Sequence, residues 1–374
     1  MKVLSAMNQC ARNFIGAVAL AFLLIPFNAR ANEKPIGILL AAGDIAVCPK
    51  DDDKDKDTRN GKATAGLIKQ EIDDATVKYP GVEVRILALG DLAYNCGATG
   101  GFKCFDESWG QFKNLLLPVP GNHEYDPKRG EPPNEKCVKD SEKKPGEDHA
   151  KPYFKYFEDN EFAKQTEPLY SLRFPDREKG PWLLIGLNPY AGLSAATLKT
   201  LLDKETSMHC VLAFSHAALY SSGRHGHGQN SNINLSSPLV PLSGYKAIYE
   251  TLHNARASVI VAGHDHHYEQ LGRANAKGTA AKNGKAAMVK DGVRSFIVGT
   301  GGTHLHSEGK IGNKLKNDYE NAWAFREAYD LQNYGILKIK LYPDHYEWEF
   351  IPTQPAAASM VVIRDVKKDD CNRT

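Results

Sequence analysis

The stretch VRILALGDLAY, residues 84–94, decides how this chain reads. Its apolar run ends in Gly90-Asp91, and Tyr94 follows three residues on. A short apolar run closed by Gly-Asp predicts a buried strand that delivers a carboxylate at its C-terminal tip. In open α/β sheets that tip is where ligands bind. Alone the signal is weak, because Gly-Asp is also ordinary turn chemistry, so its meaning depends on partners for Asp91 elsewhere.

GILLAAGD, residues 37–44, repeats the pattern and ends in Asp44. Between the two runs, Ala65, Ile68, Ile72, Ala75 and Val77 recur at helical spacing over residues 64–79. Strand, helix and strand in that order predict a βαβ unit with parallel strands. A third run, NLLLPVPGNHEY (114–125), leads into Asn122; CVLAFSH (210–216) ends in His216; ASVIVAGHDHHYE (257–269) ends in His264 and His266. Strands are also predicted over Leu169–Phe174, Trp182–Asn188 and Arg294–Val298, a helix over Leu193–Lys204, and a closing hairpin from Tyr334–Tyr342 and Tyr346–Ile351. The charged, Pro- and Gly-rich residues 126–151 read as a surface loop, and residues 274–290 as a mobile one. Asp51 to Asp57 lacks the central Gly and terminal Glu of a calcium loop and reads as solvated chain.

Residues 1–31 differ from the rest. Lys2 and Arg12 precede an apolar run, Phe14 to Phe27, that is short for a membrane span, and Ala29-Arg30-Ala31 fits a small-x-small cleavage site. A secretory signal peptide over 1–31 and a single domain over 32–374 are expected, with a secreted or periplasmic location. Three of the 47 basic residues leave with that segment, so 44 face 45 acidic ones. A balance so close to neutral gives no reason to expect nucleic acid or an anionic membrane as partner. Six of the seven cysteines remain; an even number in an exported chain suggests disulfides, and Cys96 with Cys104 is the pair closest in sequence. No Cys-x-x-Cys is present, which argues against a thiolate zinc site.

Any one of Asp44, Asp91, Asn122, His216, His264 and His266 is more often a cap or a satisfied polar residue than a ligand. As a set they differ: carboxylate, amide and imidazole recurring at strand tips are the donor types that two hard-to-borderline cations need. One carboxylate shared by both would hold them about 3.5–4 Å apart, the spacing used for phosphoryl chemistry.

These five blocks resemble, in order and spacing, the signature of the metallophosphoesterase (calcineurin-like) superfamily, and the resemblance covers residues 37–351. It implies an α/β fold in four α/β/β/α layers, a two-sheet β-sandwich flanked by helices with metals at the sheet tips. Many members carry Asp-x-His in the first block; here Ala46 stands at the His position. Gly90-Asp91-x-x-Tyr94 looks like the purple acid phosphatase pattern, in which a phenolate supplies the missing donor and suits trivalent iron. The resemblance implies one metal held by Asp44, Asp91, Tyr94 and His266 and a second by Asp91, Asn122, His216 and His264. The cofactors implied are Fe(III) plus a divalent Fe, Zn or Mn. Ala218 stands where the family's His-x-Pro block often has proline, a position that is not a ligand.

The activity implied is hydrolysis of a small phosphate monoester by a metal-activated hydroxide, with His123 orienting phosphate or protonating the leaving group and His225 second in that role. His225 and His227 read equally well as solvated loop residues; His267 is expected to face away from the metals, and His304 and His306 to line the rim or sit in a loop. A phosphodiesterase or nucleotide hydrolase of the same fold is the alternative within enzymes, although those relatives usually keep the His that Ala46 replaces. A protein serine/threonine phosphatase is disfavoured, since Gly-Asp-x-x-Asp-Arg-Gly is absent. From another class, a metal-binding surface protein without turnover remains.

Overall fold

Six consecutive buried residues, Gly37–Ala42, form strand β1, and a sheet grows on both sides of it. It pairs in parallel with β3 (Glu83–Leu89), which pairs in parallel with β5 (Leu116–Val119). On its other side lie the antiparallel strands β13 (Gly335–Leu341), β14 (His345–Pro352) and β15 (Lys367–Asp370). The predicted closing hairpin is thus real, with Leu341 opposite Tyr346. Helix α1 (Thr58–Lys78) makes the β1-to-β3 crossover, as a parallel pair requires.

The second sheet has seven strands, in the order β12 (Arg326–Asp330), β10 (Tyr268–Ala274), β11 (Val293–Val298), β9 (Val259–Ala262), β8 (Cys210–Ser215), β7 (Trp182–Leu187) and β6 (Leu169–Phe174). Strands β11, β9, β8 and β7 run parallel. Alternation along them splits the side chains between two faces. Leu184, Leu212, Phe214, Val259 and Val261 join Leu39, Leu87 and Leu337 in the core between the sheets. Leu183, Ile185, Val211, Ala213 and Ile260 pack on the opposite face with Leu198, Ile248 and Leu252 of the helices Ala195–Lys204 and Leu242–Asn254. On the outer side of the first sheet, α1 buries Ala65 and Ile68 and ties its Glu71 to Lys338 of β13 at 2.7 Å. Helix, sheet, sheet, helix is the layering expected. Each fully buried Leu, Ile or Phe contributes roughly 1.5–3 kcal/mol, so this doubly covered core carries most of the stability.

The computed structural model describes residues 33–48, 58–94, 97, 99–125, 150–164, 167–205, 210–218, 220–223, 242–274, 291–306, 326–354 and 366–372. The signal peptide predicted over 1–31, the Asp51 to Asp57 run, residues 126–149 and 275–290 of the two predicted loops, Cys96, His225 and His227 lie outside these. Pro35–Thr374 forms one compact unit. Among the described residues no helix is long and apolar enough to cross a membrane.

Several expectations need correction. Helix α1 begins at Thr58, not near residue 64, and Val77 is 83% exposed; half a turn separates it from the Ile68 stripe, so it faces outward. The helix expected from Leu193 starts at Ala195, because Ser194 caps it by accepting from the Thr197 N–H at 3.1 Å. The disulfide assignment also changes. Cys104 bonds Cys48, with Cα atoms 5.5 Å apart, and Cys210 bonds Cys371 at 5.4 Å. Cys104 lies on the helix Thr99–Asp106, whose buried face includes Phe102 and Phe105, and Cys48 directly follows strand β2 (Ala46–Val47). Closeness in space, not in sequence, chose the partner.

Candidate metal centre

The parallel strands of both sheets point their C-terminal ends to the same place. From the first sheet come Asp44 after β1, Asp91 after β3 and Asn122 after β5; from the second come His216 after β8 and His264 and His266 after β9. Tyr94 reaches the same point from the two-residue strand β4 (Ala93–Tyr94), which pairs with β2. All seven side chains are buried.

The chain must turn sharply to aim these side chains. Asp44, Asp91 and His264 have φ of 60°, 49° and 72°, the left-handed region that costs a non-glycine residue of order 1 kcal/mol or more and persists where surrounding structure enforces it. The glycines before them permit close approach. A Cβ on Gly90, itself at φ 77°, would stand 2.6 Å from the His216 Cβ, and one on Gly121 would stand 2.1 Å from Asp91 Oδ1. Backbone bonds then lock the turns together: the Asp44 N–H donates to Gly90 O, Ile45 to Asp91 O and Gly263 to His216 O, at 2.9–3.0 Å.

Two groups of donor atoms result. In the first, the Tyr94 hydroxyl lies 2.7 Å from Asp44 Oδ1, 2.9 Å from Asp91 Oδ2 and 3.2 Å from His266 Nε2. In the second, His216 Nε2 lies 3.0 Å from Asn122 Oδ1, 3.1 Å from His264 Nδ1 and 3.2 Å from Asp91 Oδ2. Both groups meet at one atom, Asp91 Oδ2. The other oxygen, Oδ1, accepts the His123 backbone N–H at 2.8 Å.

Ring orientations are set from behind. His216 Nδ1 is 2.8 Å from Leu89 O and His266 Nδ1 is 2.8 Å from His304 O. A carbonyl only accepts, so each Nδ1 carries a hydrogen, and Nε2 is the nitrogen that presents a lone pair whenever the ring is neutral. The first group then sets three acceptors around one hydroxyl proton, an electron-rich pocket that a cation satisfies better than protons can. The donor chemistry therefore fits two metal ions.

Protonation carries the same message. Burial pushes the Asp91 carboxyl up, but the His216 and His123 imidazoles beside it prevail and hold it below the usual carboxylate range. Burial disfavours a charged His216, yet Asp91 and Asp44 raise it to about 9. For Tyr94, burial first and then the Asp44 and Asp91 charges drive the phenol well above its ordinary value. Protons thus occupy this cluster in the absence of a stronger positive charge.

Of the proton-transfer candidates, His123 packs at a tilt on Tyr94 with ring centroids 4.4 Å apart; its Nε2 is 3.8 Å from Asp91 Oδ2 and its side chain is 20% exposed. His304 is exposed and sits 5.0 Å from the His266 ring, whereas His306 is buried and stacked on that ring at 4.3 Å. Ala46 is buried against Ala93, so the first block offers no imidazole. One residue escaped the sequence reading: Glu124, fully buried, accepts the backbone N–H groups of Asp91, Leu92, Ala93 and Gly121 at 2.7–3.2 Å. Burial first, and then the Asp91 charge, lift its carboxyl to about 7. Its place in Gly-Asn-His-Glu was visible, but bonds to backbone leave no trace in side-chain patterns.

Comparison with solved structures gives a purple acid phosphatase from yellow lupin (Lupinus luteus) seeds, 17% identical, with a TM-score of 0.52 over 89% of this chain and 53% of that one. The chain thus spans about half the lupin enzyme's length. Two further similar structures are GAP50, the anchor in the inner membrane complex of Plasmodium (15% identical, TM-score 0.47, 90% of this chain and 89% of that one), and a dimetal phosphatase from Danio rerio (10%, 0.46, 91% and 100%). No family model and no curated protein matches the sequence. With two stacked mixed sheets, flanking helices and a donor cluster at the parallel strand tips, this chain has the metallophosphoesterase-type fold of the lupin phosphatase.

Proposed function

We propose that this protein is an exported dinuclear-metal phosphatase that hydrolyses small phosphate monoesters. The observation carrying the reading is the meeting of two donor groups at Asp91 Oδ2. In this reading Asp44, Asp91, Tyr94 and His266 would hold one ion and Asn122, His216 and His264 the other, with Asp91 common to both donor sets. Two such ions supply Lewis acidity, acidifying a water and neutralising phosphate charge.

The chain's own residues do the rest. Asp91 keeps the two donor groups in register, because Oδ1 is pinned by the His123 N–H while Oδ2 is shared. Glu124 fixes the backbone on which Asp91 and Tyr94 ride. His123, the partly exposed imidazole beside Asp91, meets a phosphate oxygen or delivers the proton that a leaving alkoxide needs. Tyr94 decides the first metal: a phenol among carboxylates suits Fe(III), with a divalent Fe, Zn or Mn beside it. His225 is the second candidate for proton transfer. The two disulfides among the described residues favour an oxidising, extracytoplasmic location.

The test is phosphate release from p-nitrophenyl phosphate by metal-replete protein. Activity absent from that sample sinks the reading and leaves a metal-binding protein without turnover; activity equal in Asp91→Asn sinks it by showing hydrolysis that does not use the Asp91 centre. A visible tyrosinate-to-iron band lost in Tyr94→Phe supports iron; a colourless, fully active zinc or manganese enzyme refutes it. Bis-p-nitrophenyl phosphate turned over faster than the monoester would make it a phosphodiesterase.

A further inference from the structure

Behind the His266 ring lies a second cluster that the proposed reaction does not use. Asp265, His267 and His306 are each at most 4% exposed, and they offer one donor atom apiece within 4.8 Å of one another. His306 divides the two regions: one face of its ring stacks on His266 at 4.3 Å, while its Nδ1 lies 3.8 Å from Asp265 Oδ1. His267 is nearly inaccessible, and among the described residues its Nδ1 has no hydrogen-bond partner. Leaving such an atom unsatisfied costs about 1–3 kcal/mol.

The surroundings of His267 show what that nitrogen suits. Its Nε2 faces the Glu269 carboxylate at 3.6 Å, which favours the tautomer with hydrogen on Nε2 and a lone pair on Nδ1. A carboxylate behind an imidazole whose other nitrogen is free is the arrangement that orients histidines toward metals. Asp265 is supported in the same way, since the Ser221 hydroxyl donates to its Oδ2. Gly223 packs directly against both side chains: a Cβ there would stand 2.4 Å from both Asp265 Cγ and His267 Cε1, so the turn fits beside them only as glycine. Glu269 is engaged on its far side by the Ser222 N–H at 2.9 Å and by the Ser222 hydroxyl.

We propose that Asp265, His267 and His306 form a third, interior cation site, separate from the Asp91 centre and suited to zinc. Two imidazoles and a carboxylate are borderline donors that favour a transition ion over calcium or magnesium. The ion binds His267 Nδ1, an Asp265 carboxylate oxygen and His306 Nδ1, displacing the long 3.4 Å bond that this nitrogen accepts from the His266 N–H, and the Ser221 hydroxyl on the same carboxylate supplies the fourth donor. It would join the strand tip at 265–269 to the Ser221–Gly223 turn, and so brace His266 from behind. Because the site is closed to solvent, the ion enters while the chain folds and resists chelators afterwards. The inference does not depend on phosphatase activity.

The test uses full-length protein produced in zinc-supplemented medium, with metal counted per chain by mass spectrometry before and after EDTA. Wild type retains one equivalent of zinc through EDTA; His267→Gln loses that equivalent while still binding metal reversibly at the Asp91 centre. Because the readout is a difference of one equivalent, it holds whether the Asp91 centre takes two ions, one or none. Equal zinc in both proteins overturns the proposal. If His267→Gln fails to fold, anomalous scattering at the zinc edge from wild-type crystals decides: a peak between Asp265 and His306 supports the site, and its absence overturns it.

Discussion

The two sheets contribute different chemistry to one place. The first, with the short β2–β4 pair beside it, presents oxygen donors, Asp44, Asp91 and Asn122 from its own strand tips and Tyr94 from β4, on turns cross-linked by backbone bonds and clamped by Glu124. The second presents only imidazoles, His216, His264 and His266, and tilts two of them through carbonyls, one from each sheet's side of the site. Neither sheet alone assembles a metal-binding set that could hold two ions. The centre therefore exists only when the sheets are packed, and whatever fixes that packing fixes the chemistry.

The strongest way to break the comparison is at the shared atom. Asp91→Asn should lower turnover by about three orders of magnitude, the upper scale for losing one charge-stabilising group, with both ions lost together in metal analysis; loss of only one ion would show that the two donor groups are independent. Glu124→Gln keeps the shape but weakens the clamp on four N–H groups. It should cost roughly 10–100-fold in metal affinity, the usual effect of a supporting residue, and zinc titration followed by activity would read it; unchanged affinity would mean the oxygen-bearing turns hold themselves.

The packing itself can be tested. Cys210 starts β8 of one sheet and Cys371 follows β15 of the other, where Arg273 and Arg294 also reach across to Asp369. Cys371→Ser should cost about 2–5 kcal/mol of stability, measured by urea unfolding under oxidising conditions, and should weaken metal binding along with it. Stability lost with metal affinity intact would separate the two.

The smallest effect is electrostatic and confined to metal-free protein. Glu124 and His216 are both raised in the folded state, to about 7 and about 9 from 4.5 and 6.5. A raised folded pKa gives stability that is present below the unfolded value and lost as pH rises through the folded one. Both therefore act in one direction, and Tm in EDTA should fall between about pH 4.5 and 9 by the linkage relation. Added zinc should flatten that slope, because cations replace the protons. A Tm that rises with pH in EDTA would contradict the assignment of burial and charge around Asp91.

Much of this was legible beforehand because its causes are local. Apolar runs closed by Gly-Asp, Gly-Asn-His and Gly-His announced β1, β3, β5 and β9 with their tip residues, since a buried parallel strand needs apolar side chains on both faces and ends where the chain must turn. The Ala65–Ile68–Ala75 stripe marks helix α1 in the sequence, but neither its start at Thr58 nor the outward face of Val77 is written there, because the end of a helix depends on what it packs against.

Sequence by itself determined which residues could bind metal and in what order their strands arrive, for donor type and strand pattern belong to neighbouring residues. Only the tertiary structure decided that Asp91 Oδ2 is the shared atom, that Glu124 holds the turn, that Cys104 takes Cys48, and that His267 is buried beside Asp265. Each of these joins segments tens of residues apart or turns on a bond to backbone, and such pairings follow from sheet order and close packing, which no short stretch of the chain encodes.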